Sequence, residues 1–338
     1  MRSFILVRAA ALLLLSASLV VSAPVGAQES PAAEAVILHG HQGAVLTVAF
    51  NPTGDVVASG GEDGAVMLWN MEGEPLATLQ GHTRPVTAVV FSPDGATLVS
   101  AGEDRGVVLW DVATHEVIAT LEGHRSAVHC VAFNPAGAVI ASGDRSGRVL
   151  LWDARTGNNL TALRGSSAAV LALAFSPDGD MLAAASNDGA VRLFDAFTGE
   201  QLAEIAAAHE GAVTALAFNP EGALLLTAGD DRLVRLWDLD AEDAEPAALE
   251  GHRRGVTGMA ISPEGTTLVT GSGDHTVILW EMATGEPLAT LEGHTWVVQA
   301  VAFSPDGAWV ASASGDNTVR LWPVALPEPP EDEAESTE

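Results

Sequence analysis

Seven times along the chain, the same interval of twenty-eight residues separates a polar marker from an aromatic ring. His41, His82, His124, Ser166, His209, His252 and His294 stand that far before Trp69, Trp110, Trp152, Phe194, Trp237, Trp280 and Trp322. Only the connection to the next marker varies, so the repeat runs 41 to 43 residues. Within the unit that begins at His82, Val86 to Phe91 is apolar and β-branched. Ser92-Pro93-Asp94-Gly95 then makes a tight turn, because proline presets φ and glycine accepts positive φ. Thr97 to Ala101, Val107 to Trp110 and Glu116 to Leu121 complete four short strands at even spacing. One small twisted sheet cannot bury both of its faces alone, so each unit must stack on its neighbours. Closing such an array into a ring also removes the exposed edges that an open stack would leave.

The units resemble WD repeats, with Gly-His at one end, as in Gly81-His82, and Trp-Asp at Trp110-Asp111, Trp152-Asp153 and Trp237-Asp238. The second dipeptide departs to Trp69-Asn70, Phe194-Asp195, Trp280-Glu281 and Trp322-Pro323. The resemblance covers residues 35–324 and implies an all-β fold, a seven-bladed β-propeller of four-stranded antiparallel blades. Ala35-Val36-Ile37-Leu38 matches the fourth strand Leu76-Ala77-Thr78-Leu79, yet precedes the first Gly-His, while the last unit ends at its third strand. In the family resembled, the N-terminal strand completes the final blade. One leading strand and one missing strand lead to the expectation that seven blades close without remainder.

Composition narrows the function classes. Fifteen arginines, with no lysine, face 44 acids for a net charge of -29, which argues against neutralising a nucleic-acid backbone or docking on anionic lipid. Without lysine there is no Schiff-base chemistry, no Walker-type phosphate loop and no Ser-x-x-Lys nucleophile. Arg2 and Arg8 flank an apolar run that ends before Val25-Gly26-Ala27, the layout of a secretory signal peptide. The expected organisation is a signal peptide at 1–27, a linker at 28–34, the propeller at 35–324 and an acidic tail at 325–338, with the tail disordered. An extracytoplasmic protein, periplasmic or secreted from a bacterium, monomeric and not inserted in a membrane after cleavage, follows as the expectation. Cys130 is the one cysteine. It falls where other units carry Thr47, Ala88 or Gly258, so it reads as a small packed residue.

The repeated His, Ser/Thr, Asp and Trp could pass for catalytic machinery, but a set that recurs in five units at identical offsets is a structural device. The resemblance implies a hydrogen-bonded tetrad in each: His41, Ser59, Asp63 and Trp69; His82, Ser100, Asp104 and Trp110; His209, Thr227, Asp231 and Trp237; His252, Thr270, Asp274 and Trp280; and His294, Ser312, Asp316 and Trp322. The third unit carries Ser146 where the others have Asp. The fourth keeps only Asp188, with Ser166, Ala184 and Phe194 at the remaining positions, and is expected to be held by apolar packing alone. His39, His115, His129 and His275 lack the paired spacing of a zinc site, so no metal or cofactor is expected.

The expected function is a non-catalytic scaffold binding protein partners on the narrow face of the disc, where the resembled family usually docks them. The alternative is a propeller enzyme or small-ligand binder with its site at the central channel mouth. Most family contact positions are small here, though they include His129 and Arg145. The loops beside Gly-His are richer, carrying Arg84, Arg125, Arg253, Arg254 and Trp296. These seven residues are the candidate partner-binding set.

Overall fold

The computed structural model describes residues 34–164, 166–241 and 245–324. The expected signal peptide, most of the linker and the acidic tail lie outside the described residues. Twenty-eight strands form seven antiparallel four-stranded sheets among the described residues. In the first blade, β2 (Val45–Phe50), β3 (Val56–Gly61), β4 (Ala65–Asn70) and β5 (Pro75–Gln80) follow one another as a meander. Alternation of buried and outer positions is lost in β3 and β4, which are buried on both faces because a neighbouring blade covers each side.

The strand β1 (Val36–His39) precedes this meander and joins the other end of the chain. It pairs antiparallel with β28 (Thr318–Pro323), which continues through β27 (Trp309–Ser314) to β26 (Val298–Phe303). The register sets Val36 opposite Leu321 and Leu38 opposite Val319. The first strand of blade one also contacts the first strand of blade seven, so the ring is closed.

Seven apolar clusters account for the core, and each lies between two blades. Leu38, Val319 and Leu321 of the last blade meet Val48, Val57 and Trp69 of the first in one of them. Val99, Leu109 and Val107 of blade two meet Ile140, Leu150 and Trp152 of blade three in another. Stability therefore depends on neighbours, and no blade has a core of its own. The turns between first and second strands add a second girdle. Gly95, at φ 72°, sits against Pro52 of the preceding blade, and Gly54, at φ 79°, against Pro305 of the last. A side chain at either glycine would adopt the left-handed region and press on that proline ring.

Every first strand carries a bulge after its first residue, as between Val45 and Thr47. A bulge leaves one residue unpaired and re-aims it. In three blades that residue is a threonine used to join blades. Thr87 donates to Ala101 O of its own blade at 3.1 Å and to Val128 O of the next at 2.7 Å. Thr214 does the same with Ala228 and Val256, and Thr257 with Gly271 and Val298.

Candidate functional site

The tetrads form on the ends of the strands just described. In the first blade Trp69 donates its indole N–H to Ser59 Oγ at 2.8 Å. Ser59 donates to His41 Nε2 at 2.8 Å, and His41 Nδ1–H donates to Asp63 at 3.0 Å. The same chain runs through His82, His209, His252 and His294. Each carboxylate also ties down the loop beside it, as Asp104 does by accepting Thr83 N at 2.9 Å. The Ser/Thr members are fully buried, and each hydroxyl is engaged on both sides by Trp and His. A hydroxyl so placed is no nucleophile for a substrate arriving from solvent.

Two blades differ from the sequence expectation. The third was expected to lack its carboxylate because Ser146 holds the usual position. Asp144, two residues earlier, supplies it: His124 Nδ1 lies 2.8 Å from Asp144 Oδ2, with His124 to Ser142 at 2.6 Å and Trp152 to Ser142 at 2.7 Å. The position of Asp144 is glycine in the first blade, and a Cβ there would lie 2.6 Å from the histidine Nδ1. That site abuts the ring, so a carboxylate on it reaches the same nitrogen. Ser146 now serves Asp144, donating its hydroxyl to Oδ1 at 2.6 Å.

The fourth blade is not held by apolar packing alone. Loss of the Ser/Thr hydroxyl at Ala184 and the indole at Phe194 leaves Ser166 donating to Asp188 at 2.8 Å. Arg192, two residues before Phe194 and nearly buried, pairs with Asp188 at 3.0 Å and with Glu204 at 3.1 Å. An ion-paired arginine stands in for the missing relay.

Protonation follows burial. His124, His209, His252 and His294 are pushed below the ordinary value of 6.5 by burial, which outweighs the pull of their aspartates. Burial alone would raise Asp231, Asp274 and Asp316. Bonds from His209 and Arg235, from Thr276 and Arg253 N, and from Thr318 and His294 overcome it and hold each at about 2. The unfolded chain takes up protons on those histidines below pH 6.5 while the folded chain resists, so stability is complete above 6.5 and falls as pH drops below it. The aspartates add a second loss between 3.8 and about 2. Acidification toward the pI of 4.4 also relieves self-repulsion, an opposing effect that salt screens. In high salt the melting temperature is expected to hold level from pH 7.5 to about 6.5 and to fall from there to 5.5, with at most about 1.4 kcal/mol per pH unit for each histidine. A flat or rising profile over that lower range would contradict the neutral-histidine relay.

Backbone bonds such as Glu103 N to Pro85 O at 2.9 Å and Arg145 N to Ala127 O at 2.8 Å join the loop before each first strand to the turn between its second and third strands. Both sets of loops therefore share one face, and the candidate partner-binding residues fall on it. Arg84, Arg125, Arg145, Arg253, Arg254 and Trp296 are exposed, while His129 is half-buried, with burial and the Arg145 charge pushing its ring below the ordinary value. Arg84 and Arg145 line one cavity of about 490 Å³ between blades two and three, together with Arg105, which the sequence reading passed over. Arg125 is not among the cavity's lining residues.

On the opposite side of the ring, Trp296 keeps 60% of its surface exposed and stacks on His275 of blade six, with ring centroids 6.1 Å apart and planes 20° apart. It lies against Gly315, where any Cβ would meet its ring. Arg105 and His275 occupy the same turn position, directly after the tetrad aspartate, at φ 75° and 76°. The signal that would have found them is that shared position, which the first, third and fourth blades fill with Gly64, Gly147 and Gly189. Cys130 is packed in the cluster between blades three and four, where burial pushes its thiol far above the ordinary cysteine range. Among the described residues no group of three or more His, Cys, Asp or Glu could hold a metal ion, and no helix is long and apolar enough to cross a membrane.

Seven four-stranded blades closed by the first strand, with a buried relay in six of them, define a β-propeller. The profile of the WD domain, G-beta repeat, matches residues 34–70, 73–111, 115–153, 157–195, 199–238, 245–281 and 285–323. The chain belongs to the WD40-repeat family, whose propellers typically act as protein-interaction scaffolds. No curated protein sequence matches the chain significantly.

Proposed function

We propose that this propeller is a non-catalytic scaffold outside the cytoplasm that docks protein partners on its narrow face, the one bearing the Gly-His loops. The observation that carries this reading is Trp296, a large apolar side chain left exposed at the seam of blades six and seven. Stacking on His275 holds the indole flat and limits its freedom, which lowers the entropy cost of using it as a contact. Arg253 and Arg254 lie in the equivalent loop of the adjacent blade, where a guanidinium fork offers paired donors to a carboxylate. Localisation is supported by the basic, apolar and small-residue order of 1–27.

The test is capture of partners from the native organism, identified by mass spectrometry, with wild type and two variants compared. Trp296→Ala and Arg254→Ala are each expected to weaken capture of the same partner by about 2 kcal/mol or more while leaving the melting temperature in place. The Arg254 effect should shrink in high salt and the Trp296 effect should persist. Wild-type capture by both variants would overturn the assignment of this patch. Cell fractionation, with sequencing of the mature N-terminus, checks the location; a cytoplasmic chain that retains residues 1–27 would overturn it.

A further inference from the structure

We propose that the cavity between blades two and three is a separate docking subsite for a carboxylate-rich segment of a partner protein; this deepens the scaffold reading and rests on it. Arg84, Arg105 and Arg145 reach the cavity from three different loops in two blades. None of the three has an ion-pair partner within 4.0 Å among the described residues. Ion pairing of arginine is confined to Arg192 and Arg235 among the described residues, so it is the clustering that stands out. On a chain whose fifteen cations face 44 acids, three cations line one cavity. Two acids share the lining. Asp104 is already engaged by His82 Nδ1 and by the amides of Thr83 and Gly106, which leaves Glu103 as the acid that opposes an incoming anion.

Arg105 adds a second observation. Its φ of 75° is a region that L residues occupy at a cost. Three other blades place glycine at this position, and the remaining three place Arg232, His275 and Asn317 there at similar φ. The fold does not need a side chain at this turn, so the guanidinium is held there against the backbone's preference. At about 490 Å³ the cavity exceeds what one carboxylate fills, and its lining contains no apolar side chain larger than alanine. That chemistry suits several carboxylates on an extended backbone, each accepting a forked pair of N–H bonds. The remaining acidic surface repels a long polyanion or an anionic membrane. At physiological ionic strength a screening length of about 8 Å confines the attraction to the cavity itself, so a short acidic segment is the occupant that fits. The chain's own acidic stretch 325–338 follows Val324, which comes off the end of a third strand, at the opposite face from the Gly-His loops.

The experiment is fluorescence anisotropy of a labelled oligoglutamate peptide titrated with the full chain at physiological salt. Arg84→Gln with Arg145→Gln, and Arg105→Gly alone, are each expected to weaken binding about tenfold or more. Arg105→Gly should melt no lower than wild type, since glycine suits that φ, which separates lost binding from lost fold. Glu103→Gln should tighten binding several-fold, a sign that a merely structural cluster would not show. Absence of wild-type binding, equal binding by the double variant, or no gain in Glu103→Gln overturns the subsite. Competition by inorganic phosphate as strong as by unlabelled peptide overturns the peptide assignment, and tighter binding after deletion of 325–338 makes the chain's own acidic stretch the occupant instead. Trp296→Ala and Arg254→Ala should bind the probe as wild type does. Loss of the subsite with partner capture intact then sinks this inference alone.

Discussion

Leu38→Ala is expected to lower the stability of the entire ring by about 2–5 kcal/mol, whereas Ile37→Ala, one residue earlier, should cost less than about 0.5 kcal/mol. Leu38 is 1% exposed and belongs to the cluster that joins the last blade to the first, while Ile37 points outward at 39%. The contrast is steep because β1 is held to β28 by one short ladder and by this side chain between Val319 and the blade-one core. Because β1 runs on directly into blade one, the ring's break in chain continuity lies inside the last blade, between β28 and β1. Truncating Leu38 removes packing that holds the two sides of that break together. A ring opened there exposes both flanking blades, so the loss should appear as an earlier urea midpoint for the whole domain. Equal midpoints for the two variants would contradict closure by the N-terminal strand.

Asp144→Ala is the second large effect expected, at about 3 kcal/mol, against less than about 1 kcal/mol for Ser146→Ala. Asp144 is completely buried and accepts from His124 Nδ1, from the Ser146 hydroxyl and from the amides of Ser146 and Arg148. Its removal leaves a buried histidine N–H without an acceptor and frees the turn that follows. Ser146→Ala removes only one exposed-side hydroxyl from a carboxylate that keeps its other donors. Alignment of the repeats by spacing assigns the carboxylate position to residue 146, and so implies that neither change touches a relay. Denaturant titration of both variants distinguishes these readings, and the spatial one fails if the two midpoints agree.

The error at blade three and the one at blade four have a common cause. Spacing reports which residue occupies a slot, but a histidine ring can be approached by a carboxylate from more than one backbone position. Asp144 reaches His124 from a site that is glycine or serine in the other blades. Arg192 meets Asp188 from the third strand, where the first blade has Met67 and the second Val108. In both cases the substitution is visible in the chain, and its partner becomes visible only once two strands are laid side by side. The same holds for Arg105, whose neighbours Arg84 and Arg145 are 21 and 40 residues away in the sequence.

The sequence by itself determined the strand count, the blade period, the seven-fold closure and five of the relays. The strand count and period follow from regular spacing, while the closure and the five relays follow from the WD-repeat resemblance. In a ring of stacked repeats each unit contacts only its neighbours, so local pattern carries the architecture. Tertiary structure alone decided the sixth relay, the ion-paired fourth blade, the stacking of Trp296 on His275 and the meeting of three arginines in one cavity. Those features lie across strand pairs or blade seams, where the outcome depends on side-chain reach and direction in space, and no interval along the chain encodes either.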